Sequence, residues 1–167
     1  AVLDRYVDQQ THLPKRTAQD WHRLLAEYFA ALPAWPARET GKPISLRDRE
    51  HPMVTRRKVE ELPYQYTGAQ NWLRLTHVLR DLRFLEAKIT AGLMEDLLED
   101  YRRAQSATDH PLIHPLAEVH SFLISQAHIL RHFPHLLYQQ AANQPAGSLA
   151  AILAQESPRS DHWLRWL

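Results

Sequence analysis

The 167-residue chain has no cysteine. That absence excludes a disulfide framework, thiolate zinc sites, iron–sulfur clusters and cysteine nucleophiles, and it fits a reducing setting such as the cytoplasm. Glycine is scarce, with four residues, and no window alternates apolar and polar side chains with period two. Hairpins and sheets are therefore not expected, and Ala1–Val7 is the one segment left open for a strand. Charge of one sign is not in excess: 20 Lys and Arg stand against 19 Asp and Glu, so nothing in bulk draws the chain to nucleic acid or an anionic membrane. The longest run free of these residues, His132 to Gln155, contains Pro134, Pro145, Asn143 and four glutamines, and it does not read as a membrane span. The first residues lack an initiator Met and a basic region followed by an apolar core, so the chain reads as a piece excised from a longer one.

What is present is an ordinary globular composition, 44% hydrophobic and 23% charged, in a chain long enough to bury roughly two-thirds of its unfolded surface. Apolar residues recur at helical spacing. Trp21, Leu24, Leu25, Tyr28, Phe29 and Leu32 form one stripe, and Thr17 with Asp20 three residues on has the pattern of a capping box. Pro33 and Pro36 stop this helix. Residues 33–52 read as a long polar connection, and helical character returns at about Met53, with Pro63 expected to kink or break it. Gly68 marks a turn. Helices follow over Trp72–Leu82, over Leu85–Ile89 with Gly92 as its C′ residue, and over Leu93–Gln105. The longest helix starts with Pro115 as its first residue and ends near Phe133, with apolar positions on more than one face. Short helical pieces follow at Leu136–Ala142, Leu149–Leu153 and Asp161–Leu167. The fold class is all-α, with about seven antiparallel-packed helices in an α-α superhelix or irregular solenoid-like stack.

No chemistry-bearing motif emerges. Gly41-Lys42 has Pro36 and Pro43 where a phosphate loop needs glycine and Ser or Thr. Six of the eleven histidines fall between His110 and His135, and His120, His128 and His132 lie on one stripe of the long helix. His128 and His132 have metal-ligand spacing, but Ile-Leu-Arg separates them, without the Glu of a metalloprotease motif. A solvated or partly packed histidine stripe is the simpler account. Glu95, Asp96, Glu99 and Asp100 read as a solvated face with pairs such as Glu99 to Arg103. Arg56-Arg57-Lys58 runs straight into Glu60 and Glu61, which also fits a solvated face. Trp21, Trp35, Trp72, Trp163 and Trp166 read as core or interface anchors, since none sits in a basic run.

Three segments carry a resemblance. They are Arg57 to Tyr66, with Leu62-Pro63-Tyr64, followed by Trp72; Leu79 to Lys88, with Phe84-Leu-Glu-Ala-Lys88; and Ala91 to Arg103. Together they resemble the helical domain of STAND-class NTPases, the NACHT or NB-ARC proteins with WD repeats, including relatives of the apoptotic protease activating factor. Ser121 to Gln144, with Gln140-Ala-Ala-Asn-Gln-Pro145, and the closing Trp163-Leu-Arg-Trp-Leu167 look like the later half of that module in bacterial members. Ala1 to Phe29 is similar to the exit from a winged helix.

The resemblance implies a module between a winged helix and a WD-repeat propeller, divided as 1–32 (winged-helix exit and first helix), 33–52 (polar connection) and 53–167 (helical domain). The family's phosphate loop and acidic Mg²⁺ residues have no matching positions here. The implied function is a non-catalytic cytoplasmic linker or relay, without catalytic residues, cofactor or metal. Its partners are the flanking nucleotide-binding, winged-helix and WD-repeat domains, with another protein as a further partner and neither nucleic acid nor membrane. Trp35, Pro63, Trp163 and Trp166 are the candidate interaction or hinge residues. The alternative is a free-standing helical adaptor, with Trp35 and the 33–52 loop as contacts; a small metal enzyme built on the histidine stripe comes third.

Overall fold

A computed structural model describes residues 16–35 and 54–157. Eight α-helices and one 3₁₀ turn make up the regular structure there, with no strand among the described residues. They are α1 (Ala18–Ala31), α2 (Arg56–Gly68), α3 (Trp72–Arg80), α4 (Leu82–Thr90), α5 (Met94–Ala107), α6 (Leu116–Leu130), the 3₁₀ turn Pro134–Leu136, α7 (Leu137–Ala142) and α8 (Leu149–Glu156). The open strand segment Ala1–Val7, the Gly41-Lys42 dipeptide and the expected last helix Asp161–Leu167 lie outside the described residues.

Local chemistry accounts for most of the boundaries. The Thr17 side chain accepts from the Asp20 amide at 3.2 Å, and the Asp20 carboxylate accepts from the Thr17 amide at 3.0 Å, which closes a capping box at α1. The Thr17 hydroxyl, which donates to the Asp20 carboxylate at 2.8 Å, and the Thr17 amide, with Arg23 and Arg16 nearby, hold the Asp20 carboxyl below its usual range. Asn71, Asp81 and Ser148 cap α3, α4 and α8, each side chain accepting one first-turn amide. Helix α4 ends as the sequence indicates, because Gly92 takes φ 77° and lets the Leu93 amide reach the Lys88 carbonyl at 3.1 Å.

The end of α2 departs from expectation. Gly68 is the last helical residue, and Gln70 enters the left-handed region at φ 55° while the Asn71 amide donates to the Tyr66 carbonyl at 3.0 Å. Gly68 serves space instead: a Cβ there would lie 2.5 Å from the His22 ring, so its lack of a side chain lets α1 close onto α2.

Pro63 neither breaks nor ends α2, which runs unbroken across it with the ring buried. Thr67 Oγ1 donates to the Pro63 carbonyl at 2.9 Å, within the helical turn that follows. Pro115 stands just ahead of Leu116, and α6 ends at Leu130, three residues short of Phe133.

The helices pack largely in chain order around α4, on which Leu82, Phe84, Leu85, Glu86, Ala87, Lys88 and Ile89 are all buried. It touches α2, α3, α5, α7 and the 3₁₀ turn. Helix α6 packs against α5 and also against α7 and α8, which accounts for its broad apolar face. One continuous core runs from Ala26 and Phe29 to Leu153 and Ala154. Helix α1 packs chiefly on α2, and of its apolar stripe Phe29 is buried while Trp21, Leu25 and Tyr28 are exposed.

Candidate functional site

The segment 36–53 leaves and rejoins the described structure at one place. Before it, Trp35 donates from Nε1 to the Arg83 carbonyl at 3.2 Å, fixing the indole against the start of α4. After it, the Thr55 amide donates to the Ala34 carbonyl at 2.9 Å, so the two feet of the connection are hydrogen-bonded to each other.

Lys58 completes this junction. Its ammonium donates to the Ala30 carbonyl at 2.9 Å and to the Leu32 carbonyl, covering acceptors that a helix end leaves open. Partial burial holds the Lys58 ammonium below its usual range, while Asp81 pulls the other way. A groove of about 440 Å³ opens here, with Trp35, Lys58, Leu62, Tyr66, Val78 and Phe84 among its walls. It presents the aromatic residues Trp35, Tyr66 and Phe84 beside Lys58, Arg83 and the Asp81 carboxylate, and the Lys58 ammonium already serves the backbone. The Trp35 and Lys58 bonds tie α1 and the start of the connection to α2 and α4 at this groove.

Of the four residues singled out from the sequence, Trp35 lines this groove and Pro63 lies buried in the adjoining α2. Trp163 and Trp166 lie outside the described residues. Trp72 is partly buried against the core, and Trp21 is exposed beneath the Arg16 guanidinium, 5.1 Å from its ring centroid.

The histidine stripe does not stay together. His120 is buried and stacks on Tyr101 at 5.5 Å between centroids and 9° between planes, while His128 and His132 face solvent. Burial, with Arg102 nearby, holds the His120 imidazole below its ordinary value. Among the described residues no three His, Asp or Glu side chains are grouped to hold a metal ion.

The carboxylate run is corrected in one position. Glu99 pairs with Arg103 at 3.3 Å as the spacing indicates, and Glu95 pairs with Arg131 at 2.5 Å. Asp100, in contrast, is buried and meets the buried Lys88 ammonium at 2.5 Å. Burial pushes its carboxyl up to about 6 despite the pull of Lys88 and Arg103. Next to it the Tyr101 hydroxyl donates to the Leu79 carbonyl, and burial raises that phenol well above its usual range. Lys88, Asp100, Tyr101 and His120 thus form a buried polar seam across α4, α5 and α6, reaching the end of α3.

The sequence profile of the APAF-1 helical domain matches residues 58–158. The chain belongs to the APAF-1 helical domain family. The matched span runs from α2 through α8 and includes both the polar seam and most of the groove. Telomerase protein component 1 of Rattus norvegicus is 33% identical over 120 residues, covering 65% of this chain and 4% of the relative. The same component of Mus musculus is 32% identical over 120 residues, with the same coverage. The chain therefore spans 4% of the length of these relatives. No solved structure matches it significantly. Among the described residues no helix is long and apolar enough to cross a membrane.

Proposed function

We propose that this domain is the non-catalytic helical relay of a STAND-class signalling ATPase in the cytoplasm. In this reading it couples movement of a C-terminal WD-repeat sensor to an N-terminal nucleotide-binding switch, and its partners are those flanking domains. Membership of the APAF-1 helical domain family carries the reading, and the small share of much longer relatives that the chain matches favours a module built into a large protein. The packing supports it physically. Helices that share one dense core move together, because close-packed interiors transmit displacement rather than absorb it. Bending is left to connections, of which 33–55 and 108–115 are the longest between consecutive helices.

Hydrogen exchange on the full-length protein with ADP and with ATP tests the relay. Exchange is expected to change at 33–55 and 108–115 and to stay constant in α4. A uniform change, or none, overturns the hinge arrangement.

The uncovered Trp21, Leu25 and Tyr28 stripe favours a competing reading, a free-standing adaptor that docks a partner there. Intact mass of the endogenous protein separates the two. A phosphate loop upstream and WD repeats downstream in one long chain support the relay, and a native mass near 19.5 kDa supports the adaptor.

A further inference from the structure

Most exposed arginines of the described residues have a carboxylate. Arg23 pairs with Asp20, Arg56 with Glu60, Arg102 and Arg103 with Glu99, and Arg131 with Glu95. Helix α3 differs. Its sequence from Trp72 to Arg80 contains no Asp or Glu, and Arg74, His77 and Arg80 make neither an ion pair nor a side-chain hydrogen bond among the described residues.

These groups share a surface with apolar knobs. At 100° per residue, Leu73, His77 and Arg80 fall within about 60° of one another on the helix, with Arg74 at their flank. Leu75 and Leu79 occupy the opposite, buried side, and the buried Thr76 borders the face next to Arg80. Leu73 is 58% exposed, a large value for leucine in a packed domain. The 3.3 Å bond from Thr76 Oγ1 to the Leu112 carbonyl brings a second exposed leucine, Leu112, alongside α3.

Helix electrostatics explain only part of the pattern. His77 and Arg80 sit in the last turn, where the dipole favours cations. Arg74 sits in the first turn, where the dipole opposes it, and its own amide is already capped by Asn71 at 3.2 Å. A locally unfavourable, unpaired cation beside an uncovered leucine is the kind of violation that function leaves behind.

We propose that the Leu73, Arg74, His77, Arg80 and Leu112 face docks an acidic amphipathic protein helix. Its carboxylates would pair with the α3 cations, and its apolar side chains would cover the two leucines. Charge complementarity selects an acidic partner. The leucines select a protein over a nucleic acid, because apolar knobs set among cations match the apolar face of a helix, whereas a phosphate backbone would engage the cations and leave Leu73 and Leu112 uncovered.

The test places the photo-crosslinking residue p-benzoylphenylalanine at position 73 of the full-length chain and sequences the crosslinked product by mass spectrometry. An acidic peptide with apolar residues at helical spacing is expected, with a yield that falls as salt rises. Arg74→Glu with Arg80→Glu is expected to lower the yield at least about ten-fold, while exposed Arg102→Glu leaves it unchanged. A neutral or basic peptide, a crosslinked nucleic acid, no crosslink, or a yield indifferent to salt and to the double charge reversal overturns the proposal. Salt dependence decides the matter even where the double variant folds poorly.

Discussion

The Lys88 ammonium and the Asp100 carboxylate meet at 2.5 Å between α4 and α5, with 0% and 4% of their side chains exposed. Each ion loses most of its hydration, and their attraction has to offset that loss. Removing one partner strands the other in the core. Lys88→Met or Asp100→Leu alone is therefore expected to cost about 3–5 kcal/mol. The double variant, which replaces both by apolar side chains, is expected within about 1 kcal/mol of the parent or above it. Urea unfolding of the four proteins measures this, and single variants that cost nothing would mean that water reaches the pair.

The same residue gives stability a distinctive pH dependence. Asp100 titrates at about 6 in the fold against 3.8 for an ordinary carboxyl, so the fold holds its proton more tightly than the unfolded chain does. This contribution is full below pH 4 and is lost as pH rises through 6. His120 has the opposite sign: its imidazole is held below 6.5, so its contribution is present above 6.5 and is lost as pH falls through the folded value. In Asp100→Asn the first contribution disappears while all other carboxylates remain. The parent's stability relative to Asp100→Asn should rise on acidification from pH 7 to 4, by on the order of 2 kcal/mol. A difference that is flat across this range would refute the assignment.

Gly68 and His22 set how closely α1 approaches α2. His22 Nδ1 is 2.7 Å from Gln65 Oε1, and the ring meets Tyr64 edge-on at 5.5 Å. Gly68→Ala would drive a methyl into that ring, and the cost expected is about 1–3 kcal/mol despite alanine's better helix propensity. Adding His22→Ala opens the space again, so the double variant should recover stability relative to Gly68→Ala. Thermal unfolding of the single and double variants reads out this non-additivity.

At the other end of the same turn, Gln70 occupies a conformation that suits glycine, φ 55°. Gln70→Gly keeps the helix-ending bonds from Gln70 and Asn71 and relieves the left-handed strain, so a gain of about 1 kcal/mol is expected. The substitution also removes a long 3.4 Å contact from Gln19 on the surface, a small loss by comparison. A midpoint of urea unfolding that does not rise would show that the strain is compensated elsewhere.

Features governed by neighbours in sequence were legible in advance. The Thr17 and Asp20 box, the Gly92 helix end, the Glu99–Arg103 pair and the all-α class each follow from spacings of three or four residues. Asp100 departs from the solvated-face expectation, which groups it by charge with Glu95, Asp96 and Glu99. Its position gave the signal: it lies three residues after Leu97 and four before Ala104, both buried, and so falls on the core stripe of α5. Its partner Lys88, between Ala87 and Ile89 on the all-buried α4, repeats the signal. Two opposite charges on facing core stripes predict a buried pair. The Trp35 groove was half legible. Trp35 stood out as an isolated aromatic beside a long connection, whereas Lys58 was submerged in a basic cluster and its bonds to α1 depend on a tertiary approach. The uncovered side of the α1 stripe carries no signal at all, since periodicity marks an apolar face without saying what lies against it.

Tyr101 offers the last test, because its hydroxyl and ring do separate work. The hydroxyl donates to the Leu79 carbonyl in the final turn of α3, one of the acceptors that the helix itself leaves open, and both residues are fully buried. The ring packs between helices and carries the His120 stack. Tyr101→Phe keeps the ring and leaves a buried carbonyl without its donor, so a cost of about 1–3 kcal/mol is expected. Amide exchange should accelerate selectively at the α3 end, around Val78 to Asp81, while α6 near His120 stays protected. Tyr101→Leu, which also removes the stack, should loosen both regions. If Tyr101→Phe instead loosens α6 as much as α3, the hydroxyl is not what ties α5 to α3, and the link must lie in the apolar packing around it.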